Sequence, residues 1–350
     1  MSLGSMKPKS GRGAGFNPPN RFERLHLELL AEVEPGAPPP TEFYIDSSKS
    51  ILTKNDSPDV PFTYSINPYR GCEHGCIYCY ARAGHEYLGF SAGIDFESKI
   101  VVKQDAPALL EKAFLNKTWR PQTVALSGVT DPYQPAERRL ELTRRCLEVF
   151  LKFRNPVSII TKSHLVTRDM DLLTDLAALN LVEVVLSITT LDPILAGILE
   201  PRASTPARRL EALEMLSKAG VPTGVNAAPL IPGLTDEELP AILRESAARG
   251  AEGACYILVR LPFAVKDLFL DWLGRNLPER APKIVSRLRE VRGGELSASD
   301  FVTRQAGQGK MAETIRDLFD LFCRKYGLNR SERQLSTAHF TREIRQLRMF

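Results

Sequence analysis

The 350-residue chain has no hydrophobic run approaching the ~18 residues that a bilayer span requires. Met1–Phe16 is rich in Gly and Lys and has no apolar stretch of the secretory kind, so no export signal is read there. Charge of one sign is lacking too: 46 Lys and Arg stand against 42 Asp and Glu, a formal net charge of +4. Such a balance permits contact with anions and does not demand it. Cysteine is sparse and unevenly placed. Three of the six, Cys72, Cys76 and Cys79, crowd one short segment, while Cys146, Cys255 and Cys323 stand alone. There is no second set of close cysteines. This pattern excludes a disulfide-stapled secreted domain. It leads to the expectation of a cytoplasmic protein without membrane contact, in which clustered cysteines serve metal binding or catalysis.

What is present is an ordinary globular composition, 43% hydrophobic and 25% charged. Up to about Pro61 the chain is irregular, and the run Pro38-Pro39-Pro40 cannot lie inside a helix. A short helix over Arg21–Glu34 and a strand over Glu42–Asp46 are the elements expected there. From Thr63 a regular alternation begins. Near-continuous apolar, β-branched runs (Tyr64–Tyr69, Lys99–Lys103, Thr123–Ser127, Val157–Thr161, Val182–Ile188, Pro222–Ala227, Ala254–Leu261) alternate with amphipathic helical stretches. Strand–helix alternation with short loops implies parallel strands and right-handed crossovers. Six units fit between Thr63 and Arg275, fewer than the eight of a closed barrel. The expected fold is α/β: a partial, open (β/α)6 barrel over residues 61–275, an irregular N-terminal extension (1–60) and a helical C-terminal extension (276–350). The C-terminal part is basic through Arg324, Lys325, Arg330, Arg333, Arg342, Arg345 and Arg348. A solvated face is the simpler reading of such a run, and a nucleic-acid patch the alternative.

Cys72-Glu-His-Gly-Cys76-Ile-Tyr-Cys79 is a C-x3-C-x2-C loop just after a strand. Its tight gaps let three thiolates converge on one centre. Three thiolates on a four-iron cube leave one iron open, the counterpart of the vacant position on a catalytic zinc. A small molecule carrying an amine and a carboxylate can chelate there. Two alternatives remain at this point. A Cys3His zinc site could recruit His74 or His85, and a plain electron-carrying cluster would need a fourth cysteine from elsewhere. Cys146, Cys255 and Cys323 sit among apolar neighbours, where buried and inert thiols are the commoner state.

The stretch Ile66-Asn-Pro-Tyr-Arg-Gly-Cys72-Glu-His-Gly-Cys76-Ile-Tyr-Cys79-Tyr80-Ala81-Arg82 resembles the cluster loop of the radical S-adenosylmethionine (SAM) superfamily. It is most similar to the branch of spore photoproduct lyase and its DNA repair photolyase-like relatives. The resemblance implies a [4Fe–4S] cluster on Cys72, Cys76 and Cys79. It further implies SAM at the open iron, reduced by an external donor of the flavodoxin or ferredoxin type to a 5′-deoxyadenosyl radical. It also implies a role for Tyr78 beside the adenine, and for Thr130 and Asp131, within Leu126-Ser-Gly-Val-Thr-Asp-Pro132, at the methionine amine. Lys162, a cation ending an apolar strand, would meet the SAM carboxylate, with Arg202 of Glu200-Pro-Arg202 a second candidate. Ser187 suits the ribose, and Asn226 the adenine pocket. Asp131 also reads as a turn or helix cap, and Tyr78 as core packing.

One feature departs from the branch. Spore photoproduct lyase is expected to carry a cysteine hydrogen-atom donor just before the position of Thr130, and this chain has none between Cys79 and Cys146. Repair of that lesion is therefore not carried over. A tyrosine such as Tyr133 is the alternative donor, the catalytic residues stay unassigned, and the substrate, nucleic acid or protein, stays open between lyase- and transferase-type chemistry. The competing class is a metal-stabilised binding protein without turnover.

Overall fold

Six parallel strands in the spatial order of the sequence carry the functional end of the molecule. The computed structural model describes residues 11–22, 39–331 and 333–343. Most of the helix expected over Arg21–Glu34, together with Arg345 and Arg348, lies outside these residues.

The first strands are β1 (Glu42–Ile45), β2 (Thr53–Lys54), β3 (Tyr64–Ile66), β4 (Tyr69–Arg70) and β5 (Lys99–Val102). They are followed by β6 (Val124–Leu126), β7 (Val157–Thr161), β8 (Val182–Ser187), β9 (Thr223–Leu230) and β10 (Gly253–Leu258). The larger sheet runs β10-β9-β8-β7-β6-β3-β2, parallel throughout except for the antiparallel edge pair β2–β3. β10 and β3 do not pair, so the barrel is open, as expected from six units.

Lys99–Val102 differs from its sequence reading. It joins no βα unit of the barrel but forms the middle of a separate sheet, β1-β5-β4, parallel to β1 and antiparallel to β4. Asn67-Pro68 interrupts what reads as one strand over Tyr64–Tyr69, and Asn67 turns its side chain to accept from the amides of Val129 and Thr130. The chain thereby leaves the barrel at the point where the cysteine loop starts.

The helices α1 (Ala106–Leu115), α2 (Leu142–Phe153), α3 (Met170–Ala178), α4 (Pro206–Lys218) and α5 (Leu239–Ala248) cover one face of the sheet. α4 starts cleanly because the Thr205 hydroxyl accepts from the Arg208 amide and Pro206 occupies the first turn. Val157, Ile159, Val182, Val184, Leu186, Val225 and Ala227 point into these helices and form the main core with Phe150, Leu173, Leu213 and Ile242. Each such side chain contributes about 1.5–3 kcal/mol on burial. The alternating residues Ser158, Ile160, Glu183 and Val185 are half-buried on the opposite, concave face.

After β10 follow α6 (Ala264–Asn276), α7 (Ala281–Glu290) and α8 (Gly309–Tyr326). Two of the basic residues beyond them clip to the body. Arg342 donates to the carbonyls of Phe114, Asn116 and Trp119, and Arg333 pairs with Glu252. No helix among the described residues is long and apolar enough to cross a membrane.

Candidate active site

The cysteine loop is tied from many sides. The Cys72 amide donates to Phe96 O at 2.9 Å, the Ile77 amide to Leu199 O at 3.0 Å, and the Arg202 amide to His74 O at 3.2 Å. Gln134 ties down the start of the loop on either side of Cys72, accepting from the Glu73 amide and donating to Gly71 O. Gly71 and Gly75 have φ of +79° and +68°, and a Cβ on Gly75 would sit 2.8 Å from the Glu97 carboxylate. Glycine is needed at both turns.

Beneath the loop lies Arg82, wholly buried. Its guanidinium donates to the carbonyls of Gly75, Cys76, Ala92 and Gly93 and pairs with Glu97 at 2.5 Å. Glu97 in turn accepts from the amides of Gly13 and Ala14. The N-terminal segment is therefore a strap across the loop, fastened through a carboxylate that the sequence reading passed over.

All three thiols of the loop are free, Cys72 and Cys76 buried and Cys79 half-buried. Burial pushes each of them up, Cys72 with Asp131 and Cys76 with Glu200 adding to the effect. Cys146 is buried in the core with Phe150 and Cys323 on the inner face of α8, whereas Cys255, on the edge strand β10, is exposed, unlike the buried thiol its apolar neighbours suggest.

A second buried carboxylate, Glu200, organises the other side. It accepts from Tyr78, from Thr189 at 2.7 Å and from Arg209, and lies 3.6 Å from Lys162 Nζ. Burial opposes its charge, but Arg209 and Lys162 outweigh it and hold Glu200 down at about 2. Lys162 Nζ also donates to Ala228 O at 3.1 Å and stands 5.8 Å from the Tyr78 ring centroid. Of this cluster, only Tyr78 and Lys162 were site candidates in the sequence. Glu200 sits in the quoted Glu-Pro-Arg stretch, where Arg202 drew the attention.

Asp131 is fully engaged by the protein. Its oxygens accept from the Thr161 hydroxyl at 2.7 Å, the Lys162 amide at 2.7 Å and the Tyr133 amide at 2.9 Å, and His74 Nδ1 lies 3.4 Å away. Burial would raise it, yet His74 and these donors hold it low. Thr130 donates to Tyr69 O. Arg202 meets a carboxylate of the protein itself, Glu73, at 3.0 Å. These three residues brace the cysteine loop. Ser187 and Asn226 are register partners on β8 and β9. Asn226 Oδ1 is buried and has no hydrogen-bond partner.

Asp131 and Lys162 follow the C-terminal ends of β6 and β7, and the cysteine loop and Glu200 lie beyond β3 and β8, on the side where open α/β sheets bind ligands. Residues 66–245 match the Radical SAM superfamily. The chain belongs to that superfamily. It is 39% identical over 246 residues to an uncharacterised protein of Mycobacterium tuberculosis, covering 69% of this chain and 71% of that one. An uncharacterised protein of Methanocaldococcus jannaschii is 34% identical over 175 residues, 50% of this chain and 63% of that one. Among solved structures, spore photoproduct lyase superposes with a TM-score of 0.58 at 18% identity, over 82% of this chain and 80% of the other. Another structure of that lyase, carrying AdoMet and dinucleoside spore photoproduct, gives 0.57 at 17% identity over the same shares. The shared feature there is the fold.

Membership makes the chain a radical SAM enzyme with the superfamily's cofactors, a [4Fe–4S] cluster and SAM. The residues fit both. Three free thiols on one braced loop suit a cube with an open iron, and the orphaned Asn226 Oδ1 suits a donor brought by a ligand. A mononuclear zinc site fits poorly. A Cys3His site needs a histidine beside the thiols, and both histidines near the loop are engaged elsewhere. His74 faces Asp131. His85 is packed between Phe90 and Phe96 and pushed down to about 4 by burial.

Proposed function

We propose that Cys72, Cys76 and Cys79 ligate the cluster and that the enzyme cleaves SAM reductively to start hydrogen abstraction from its substrate. The observation that carries this reading is the placement of three free thiols beside a surplus cation. Glu200 bears one negative charge, whereas Arg209 and Lys162 bring two positive ones to it. A carboxylate arriving from outside, such as that of SAM, completes the balance. Bound SAM supplies the radical chemistry once one electron arrives from a ferredoxin- or flavodoxin-type donor. The chain's own part is positional. Lys162 holds the carboxylate, Tyr78 flanks the adenine, Ser187 contacts ribose and Asn226 accepts from the base. Asp131, Thr130 and Arg202 act one layer behind, fixing the loop that sets the thiols. The Ser127-Gly128-Val129 turn carries no thiol, so spore photoproduct repair is not part of this reading.

The test is direct. Protein purified without oxygen should carry about four iron and four sulfide per chain. With strong reductant and SAM it should release 5′-deoxyadenosine and methionine, even without its substrate. A fully loaded protein that binds SAM and yields neither product would refute the proposal.

A further inference from the structure

Arg260 follows the last strand, β10, and stands among three arginines of which the other two are engaged. Arg304 forks onto Asp59 with both bonds at 2.5 Å. Arg292 donates to the carbonyls of Leu258, Val259 and Thr303. Arg260 has no ion pair and no hydrogen bond among the described residues, and its guanidinium lies 5.2 Å from the Tyr80 ring centroid. Burial and the charge of Arg304 hold it below the ordinary arginine range, and burial and Arg260 in turn pull Arg292 down to about 10. Facing the three cations are two carboxylates, Asp59 and Asp300. One positive charge is left over, in a half-buried setting where an unmatched charge is costly.

The surroundings are those of a binding site. Tyr80 comes directly after Cys79, and its hydroxyl donates to Gly128 O beyond β6. Arg260 therefore lies over the rim where the cysteine loop meets the strand ends. The open side of the barrel is crossed at the same place. Asp59, from the loop between β2 and β3, also accepts from Gln305, whose carbonyl accepts from the Leu258 amide of β10 at 2.9 Å. Tyr80 under Arg260, Phe263 just beyond it in the chain and Phe301 under Arg304 all remain exposed. Phe263, at the start of α6, is held at φ +49° and ψ −128°, which a bulky residue rarely adopts. Strain of this kind gathers at ligand sites. A few polar groups in an apolar, aromatic frame are the usual make-up of such a site.

We infer that Arg260 anchors the substrate: it binds a singly charged oxyanion, a carboxylate or a phosphodiester, carried by the molecule on which the radical acts. The inference deepens the radical SAM reading above and rests on it. A guanidinium presents a planar fork that takes such a group with two parallel bonds. Arg304 on Asp59 shows that fork already closed on a carboxylate nearby. One incoming negative charge balances the three arginines, whereas a dianion overshoots. Arg260 has no bond to break first, so binding the anion disrupts no ion pair. Lys162, at the end of β7, faces Glu200 and Tyr78, whereas Arg260 faces Tyr80. The two cations thus divide the work, Lys162 for SAM and Arg260 for substrate. Arg260 is a positioning residue and takes no part in hydrogen transfer.

Phenylglyoxal labelling, resolved by peptide mass spectrometry, tests this on the cluster-loaded protein saturated with SAM. The reagent attacks accessible, unpaired guanidine groups, so Arg260 should react several-fold faster than its engaged reference, Arg304. With about 100 mM sodium acetate or sodium dimethyl phosphate in place of sodium chloride, labelling of Arg260 should slow about threefold, as expected of a Kd of about 50 mM. Protection by either anion supports the anchor, and the better protector identifies the group, acetate a carboxylate and dimethyl phosphate a phosphodiester. Labelling of Arg260 no faster than that of Arg304, or protection no better than by chloride, overturns the assignment. So does loss of labelling on adding SAM alone, which would make Arg260 a cofactor residue. The labelling needs no turnover, so failure to release 5′-deoxyadenosine would count against the radical SAM reading and not against the anion site.

Discussion

Arg82 and Glu97 form an ion pair 2.5 Å apart in which neither side chain is reached by solvent. Each also serves a different part of the chain, Arg82 the carbonyls of the cysteine loop and Glu97 the amides of Gly13 and Ala14. Removing one partner leaves the other charged in a dry site. Glu97→Ala is therefore expected to cost about 3–5 kcal/mol of stability, measured by urea unfolding of the apoprotein. It should also free the strap, seen as faster amide exchange at Gly13 and Ala14. A cost below about 1 kcal/mol, the range of exposed pairs, would show that water reaches the pair.

Gly13 gives a steric counterpart. A Cβ there would lie 1.9 Å from Gly75 O, a backbone atom that cannot step aside. Gly13→Ala should destabilise by about 1–3 kcal/mol, as overpacking does, and lower the iron retained after anaerobic gel filtration. Gly84→Ala is the control, since nothing lies within 4 Å of its added methyl. Similar behaviour of the two variants would argue against the strap.

The thiols are separable by iron content. Cys72→Ala, Cys76→Ala and Cys79→Ala should each lose the cluster, because no spare thiol shares their loop. Cys146→Ala and Cys255→Ala should keep it. Iron and sulfide analysis of the purified variants decides, and loss of the cluster from Cys255→Ala with an intact fold would reassign the ligands.

Much of this was legible in the sequence, for identifiable reasons. β7 reads Val-Ser-Ile-Ile-Thr and β8 Val-Glu-Val-Val-Leu-Ser, β-branched runs that need no tertiary knowledge. The three-cysteine spacing announces itself. Lys99–Val102 has the same composition as a barrel strand, and only its partners β1 and β4 place it elsewhere. Glu97 and Glu200 look like any helix-surface carboxylates until the fold buries arginines against them. The exposure of Cys255 was hidden because its apolar neighbours suggest burial, whereas it sits on the edge strand β10.

His85 should give the stability a pH slope. Burial holds its folded pKa down at about 4 against 6.5 for the free side chain. The folded state therefore binds fewer protons than the unfolded one between these values. Stability is full above about pH 6.5 and falls as pH drops toward 4, by up to about 3 kcal/mol from this group. His85→Phe, which keeps an aromatic ring against Phe90 and Phe96, should flatten that part of the pH–stability curve. An unchanged slope in the variant would move the acid sensitivity to other groups.

Lys162 is where folding and cofactor binding are most readily told apart. Glu200 already has Arg209 as a wholly buried partner, so the carboxylate does not depend on Lys162 for its counter-charge. The lysine lies farther off, at 3.6 Å, and retains some exposure toward the cysteine loop. Lys162→Met preserves the length and apolar stem while removing the charge. It should fold with little loss of stability and retain its iron. Its affinity for SAM, followed by titration calorimetry on the loaded protein, should fall roughly ten- to a hundredfold, the worth of one charge-assisted hydrogen bond at about 1.5–3 kcal/mol. Arg209→Met should behave in the opposite way, losing about 3–5 kcal/mol of folding stability because Glu200 is left buried with a distant partner. If Lys162→Met instead unfolds easily and binds SAM as tightly as before, the lysine is a brace for Glu200 and the carboxylate of SAM must be held by another cation.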